Sequence, residues 1–205
     1  MTRPLRLGFI GGGINSAVGR CHQIASRLDG RWQLVGGVFS RDRTINHATA
    51  ERWGVSLHHV HGDLETFIQA EQDNCDAVAV LTPTPSHYSQ ITRLLDAGFN
   101  VISEKALATT SQEASTLEAS SETQGRFLRV TMNYSGYPMV RDLRRMIAEG
   151  RLGKIIGAQI EMPQEGFLRR DIEGNAILPQ DWRQRDGGVP TVSLDLGTHS
   201  HHLLT

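Results

Sequence analysis

The sequence predicts an α/β fold: a doubly wound parallel sheet followed by the beginning of an α+β second domain. Short apolar runs alternate with stretches of helical periodicity from Leu5 to about Tyr134. A glycine triplet, Gly11-Gly12-Gly13, stands directly behind the first apolar run. After Tyr134 the alternation gives way to an amphipathic helix, one apolar run and a long polar stretch. These changes set the expected domains at residues 1–134 and 135–205.

Each element has its own signal. "LRLGFI" (5–10) is a short apolar run bounded by glycines, hence a buried strand, and 15–28 reads as a glycine-led helix. "WQLVGGVFS" (32–40) is a second strand. "TINHATAERWG" (44–54) is a helix stopped by glycine, and "DLETFIQAE" (63–71) is another helical piece. "DAVAVLT" (76–82) is an apolar strand ending at prolines, followed by a helix over 86–98 with a glycine stop. A strand over 100–105, a helix over 111–124 and a strand over 126–134 complete the alternation. Beyond it, 137–153 places Met139, Val140, Leu143, Met146 and Ile147 on one helical face, with glycines 150 and 153 as stops. "KIIGAQIEMPQEG" (154–166) reads as a strand, 171–190 as loop, and a last helix starts near Pro190.

Composition excludes several classes. Lys+Arg 21 against Asp+Glu 22 gives a formal net charge of -1, so no nucleic-acid footprint is expected. No basic run marks a membrane surface, and no apolar stretch approaches the length that spans a bilayer. Two cysteines, Cys21 and Cys75, are too few and too far apart for a disulfide framework or a zinc ribbon. They fit a reducing compartment, and a soluble cytoplasmic protein is the expectation. Cys21 is expected to be a small buried residue.

Gly11-Gly12-Gly13-Ile14-Asn15-Ser16 fits G-x-G-x-x-[small] between a strand and a helix. Glycines let the main chain approach a pyrophosphate, and a helix N-terminus favours its negative charge. In this position it is expected to be a dinucleotide site of the Rossmann kind, with Gly11, Gly13, Ile14 and Asn15 against the cofactor and an ordinary tight turn as the alternative. The end of the second strand distinguishes NAD from NADP. There Ser40 and Arg41 can hold a 2′-phosphate, whereas Asp42 can reach a ribose hydroxyl. NADP is the preferred reading and NAD the alternative.

"LTPTPSH", "ISEKALATT" and "LDLGTHSHH" follow the glycine turn in this order. The constellation resembles the Gfo/Idh/MocA oxidoreductases, and the resemblance runs over essentially the whole chain. It implies an N-terminal dinucleotide domain, a C-terminal sheet domain that holds the substrate, and oxidation or reduction of sugars, sugar nucleotides or cyclitols. It also implies pairing of full-length chains into a homo-oligomer. On this resemblance Glu104-Lys105 is the catalytic element, at the carboxyl end of a predicted strand, where Lys105 donates to a substrate oxygen. The family usually has proline next, but here Ala106 follows. The turn is therefore expected either as a trans peptide with Lys105 displaced or as a rare cis bond.

The closing stretch "VSLDLGTHSHHLLT" places Asp195, His199 and His202 at i, i+4 and i+7, on one face of a regular helix. The residues alone leave three readings: a shared metal, an acid/base apparatus or a polar helix end. No thiolate pair or further histidine clusters nearby in sequence, so no metal is expected. The resemblance assigns His199 as general acid/base and Asp195 as its orienter or a substrate ligand. An acid often stands in the family where this sequence has His202. Thr82 and Pro83 are expected to line the cofactor. His87 is expected near the nicotinamide, with a capping or surface role as the alternative. Tyr134 is expected to face the substrate or join the core, and Trp182-Arg183 resembles a family element near nicotinamide or substrate.

The expected function is hydride transfer between nicotinamide and a secondary alcohol or ketone of a carbohydrate-like small molecule. The alternatives are a non-catalytic dinucleotide-binding regulator on the same scaffold and an inactive fragment. Relatives continue well beyond "HHLLT", so the chain is either a piece of a longer protein or a natural short form, and a bare apolar helix face and an unpaired strand edge, or a partner chain covering them, are expected.

Overall fold

Short apolar strands, covered on both faces, build the first part of the molecule. The computed structural model describes residues 3–205. It divides into two compact units, one running to Thr131 and the other from Met132 to Thr205.

The first unit holds a five-stranded sheet of β1 (Leu5–Gly11), β2 (Trp32–Val38), β3 (Ala77–Leu81), β4 (Val101–Glu104) and β5 (Leu128–Thr131). The order is β2-β1-β3-β4-β5 and every pairing is parallel. Side chains alternate across it. Leu7, Phe9, Ala77, Ala79 and Leu81 pack with Phe39 and Ala50 on one face. Ile10, Val78, Val80 and Val101 pack with Phe67, Ile91, Leu94, Leu95 and Leu117 on the other. Because both faces are covered, all five residues of β3 are buried, as its unbroken apolar run requires.

The helices are α1 (Ala17–Arg27), α2 (Arg43–Trp53), α3 (Leu64–Glu71), α4 (His87–Asp96) and α5 (Ser111–Thr123). Ser16, Asp42, Asp63 and Thr110 cap four of them by accepting main-chain amides, which fixes where each helix starts. Gly54 closes α2 in the left-handed conformation at φ 71°. A lone parallel bridge, Gly37 to Val60, stands where a further strand of such a sheet would pair with β2. Cys21 is exposed, contrary to expectation, because the inward phase of α1 falls on Gly19 and Ser26.

In the second unit α6 (Pro138–Ala148) opens with proline in its first turn. Its apolar face is uncovered, with Met139 77% exposed. Asn133 and Tyr134, expected at the end of a strand, lie instead in a 3-10 turn, Asn133–Gly136. The strand expected over 154–166 is absent from the described residues. A strand needs a neighbour for its N–H and C=O groups, and the described residues of this unit hold only one isolated bridge, Arg170 to Ala176. Ile156 stands 95% exposed there. The last helix, α7 (Thr198–Leu204), is entered through a π turn, Ser193–Gly197. Among the described residues no helix is long and apolar enough to cross a membrane.

Candidate cofactor and catalytic residues

The strand order reverses direction between β1 and β3, and open α/β sheets bind ligands outside the carboxyl ends of the strands at such a point. The glycine turn follows β1. Gly11 and Gly12 have φ of 80° and 74°, which favours glycine. A Cβ on Gly12 would lie 2.6 Å from Leu81 Cδ1, and one on Gly19 would lie 1.8 Å from the Gly12 carbonyl oxygen. The turn and α1 thus close on each other without side chains, leaving a main-chain surface at a helix N-terminus. That surface fits a pyrophosphate. The Gly13 amide donates to Phe39 O at 3.0 Å, and the Ile14 amide donates to Thr49 Oγ1 at 3.1 Å. Ile14 is half-buried, and Asn15 is exposed beside it.

At the end of β2, Asp42 Oδ1 accepts from the amides of Thr44 and Ile45 at 2.8 and 3.2 Å. Ser40 Oγ accepts from the Asp42 amide at 3.1 Å, and Arg41 is exposed. The buried Asn46 holds this turn: its Oδ1 accepts from Phe39 and Ser40, and its Nδ2 donates to His61 O. Sequence reasoning missed Asn46 and Thr49. Both are polar residues on the inner side of α2, and their partners are known only once the fold is.

Thr82 follows β3 and donates from Oγ1 to Gln90 at 2.6 Å. Pro83 precedes the 3-10 turn Thr84–Ser86. His87, expected beside the nicotinamide, is completely buried. Its Nε2 lies 2.7 Å from Thr82 O and its Nδ1 2.8 Å from Ala106 O. Its ring is therefore turned onto the main chain. Burial holds the imidazole below its ordinary pKa, against the pull of the Thr82 and Ala106 carbonyls.

Glu104 ends β4. Its Oε1 accepts from His22 Nε2 at 2.7 Å and from Thr131 Oγ1 at 2.8 Å, and its Oε2 from the Lys105 amide at 3.3 Å. Burial pushes this carboxyl up, but the hydrogen bonds from His22 and Thr131 outweigh it and hold the group below the usual glutamate range. The Lys105–Ala106 peptide bond is cis, the second of the two expected arrangements.

The second unit gathers its own cluster. His199 is buried, and its ring meets Tyr134 edge-on at 4.7 Å between centroids. Arg183 donates from Nε to Asp195 Oδ2 at 2.9 Å and lies over the Trp182 ring at 4.4 Å. His202 Nε2 and Ser135 Oγ are 3.0 Å apart, a contact that sequence reasoning missed because 67 residues separate them. His199 and His202 share a face of α7, as expected. Asp195 lies in the π turn that leads into α7, where the wider i→i+5 winding replaces the 3.6-residue period.

Comparison with known proteins agrees with the fold of the first unit. The model of the family described as "Oxidoreductase family, NAD-binding Rossmann fold" matches residues 5–132, well over half of the chain. The chain belongs to the Gfo/Idh/MocA oxidoreductase family. The uncharacterized oxidoreductase YfiI of Bacillus subtilis is 32% identical over 99% of this chain and 53% of its own length. An inositol dehydrogenase homolog from Azotobacter vinelandii, solved with NADH and myo-inositol, is 34% identical with a TM-score of 0.72. That likeness covers 76% of this chain and 42% of the other. KijD10, a 3-ketoreductase from Actinomadura kijaniata, was solved as a mutant with TDP-benzene and NADP. It is 28% identical with a TM-score of 0.64, over 75% of this chain and 46% of its own. The chain thus spans about half the length of these relatives.

The family match takes in the glycine turn, Thr82 to His87 and Glu104-Lys105 of this Gfo/Idh/MocA chain. The cluster around Asp195 and His199 lies beyond it, within the stretch aligned to YfiI. Membership makes the first unit an NAD(P)-binding domain of an oxidoreductase family, built for nicotinamide dinucleotides of the kinds its neighbours bind.

Proposed function

We propose that this chain carries the NAD(P)-binding part and the beginning of the substrate part of a dehydrogenase or reductase. Its reaction is hydride transfer at a secondary alcohol or ketone of a sugar, sugar nucleotide or cyclitol. Residues 1–134 bind the dinucleotide and 135–205 begin the substrate domain. The observation that carries the reading is Glu104-Lys105 at the carboxyl end of β4, on the same sheet edge as the glycine turn.

A bound nicotinamide supplies the hydride donor or acceptor. The chain's own residues do the rest. The Lys105 ammonium donates to the reacting oxygen and stabilises its alkoxide character. His199 gives or takes the hydroxyl proton. Asp195, held by Arg183, orients the reacting hydroxyl, and Tyr134 and His202 add substrate contacts. Gly11, Gly13, Ile14, Asn15, Thr82 and Pro83 hold the dinucleotide, and Glu104 fixes the start of the Lys105 turn.

NADP is the preferred cofactor. The Asp42 carboxylate is engaged as the cap of α2, which leaves Ser40 and Arg41 to meet a 2′-phosphate. A reducing, cytoplasmic setting goes with this reading, since two cysteines are too few for a disulfide framework. The family likeness supports a homo-oligomer for a full-length form.

The test is nicotinamide absorbance with NADP and NAD over sugars, sugar nucleotides and cyclitols. Turnover of one class, faster with NADP, is the expected result. Tight dinucleotide binding without turnover of any class would favour the regulator.

A further inference from the structure

We propose that His22 and His87 are positioning residues for Lys105: from opposite faces of the sheet they clamp the Glu104–Lys105–Ala106 turn and so fix where the ammonium points. The inference rests on Lys105 being the charge donor of the proposed reaction.

The two imidazoles come from different sides. His22 sits on α1 and meets Phe9 edge-on at 6.3 Å, on the face that Phe9 shares with Phe39. His87 opens α4, whose Ile91, Leu94 and Leu95 pack into the opposite face. His22 donates to the Glu104 carboxylate at 2.7 Å, just before Lys105. A carboxylate only accepts, so Nε2 carries the proton. His87 reaches the Ala106 carbonyl at 2.8 Å, just after Lys105, and spans to Thr82 O at 2.7 Å. The residues on both sides of Lys105 are therefore held against helices; the His87 ring has one N–H when neutral, and the clamp places it on Nδ1, facing the Ala106 carbonyl, with Nε2 beside Thr82 O. A misplacement of about 1 Å in such a group costs about 10²-fold in rate, so a two-sided anchor has a catalytic consequence and not only a structural one.

The sequence makes the test simple. Lys105 and Lys154 are its two lysines, so reductive methylation with carbon-13 formaldehyde labels two side chains, the α-amine apart, and Lys154→Arg assigns them. In the 205-residue chain, His22→Ala and His87→Ala are each expected to move the Lys105 methyl resonance by more than its linewidth and to leave Lys154 in place. His22→Gln keeps an amide donor within reach of Glu104 and is expected to return Lys105 to its wild-type position. A role limited to holding the fold together would lower Tm without this selective shift and without rescue. The His22 side chain is 17% exposed, so the His22 pair decides the matter if the buried His87 variant fails to fold. A Lys105 resonance unmoved in folded His22→Ala, or a Lys154 shift as large, overturns the proposal. The catalytic reading is tested separately. Full hydride transfer by Lys105→Met would remove that reading and leave the clamp standing, whereas a transfer-dead Lys105→Met together with a Lys105 resonance unmoved in His22→Ala would do the reverse.

Discussion

The carboxylate of Asp42 accepts two main-chain amides of α2, which makes it a helix cap before it can be a ribose ligand. Removing it with Asp42→Ala should lower stability by about 1 kcal/mol and leave the preference between NADP and NAD unchanged, as urea midpoints and binding titrations would show. Arg41→Ser should weaken NADP binding about tenfold, the loss of roughly one exposed charge-assisted contact, and leave NAD binding as it was. Glu71 offers a test by pH. Its carboxylate is buried and accepts from His59 Nδ1 at 2.9 Å, His61 Nε2 at 2.7 Å and Asn74 Nδ2 at 2.5 Å. Burial pushes its pKa up, but bonds from Asn74, His61 and His59 hold it below the ordinary value. A folded-state value below the unfolded one gives stability that is complete above the usual glutamate range and is lost as pH falls through the folded value. Glu71→Gln should therefore lower stability near neutrality by about 1–3 kcal/mol and flatten the acid limb of the stability curve. A limb as steep as wild type would mean that other carboxylates govern it.

Among the elements, the β1 turn and α1 depend on each other most closely. Gly19→Ala would drive a methyl into the Gly12 carbonyl. It should cost about 1–3 kcal/mol and weaken dinucleotide binding with it, which thermal melts and a binding titration would register together. This turn was legible in sequence because its signal is local: strand, glycines, small residue, helix. The buried strands were legible for the same reason. Asn46 and Thr49 were not, since the loop amides they receive reach them only after β1, β2 and α2 have packed. The run 154–166 misled because its apolar residues suit a strand, yet a strand exists only beside a partner. The π turn misled in another way. The closing stretch reads as a regular helix, and no single residue in "VSLDLG" announces the wider winding of Ser193–Gly197.

At the scale of the molecule, the alternation of apolar runs gave away the first unit, and the three short motifs gave away its family. The second unit has fewer local rules to read. Much of it is irregular, and its site contacts join residues as distant as Ser135 and His202. Dinucleotide binding should act on the first unit. At a hundredfold excess over Kd, NADP should stabilise it by about 2.7 kcal/mol, with hydrogen-exchange protection centred on β1, α1 and the Phe39–Asp42 turn. The measurement that addresses the central claim most directly is deuterium transfer from a C4-deuterated nicotinamide dinucleotide to ketones of the sugar and cyclitol panel, by wild type, Lys105→Met and His199→Asn. The account predicts label in the wild-type product, transfer slowed by about 10²-fold or more in each variant, and dinucleotide affinity preserved. Wild-type transfer rates in either variant would contradict it.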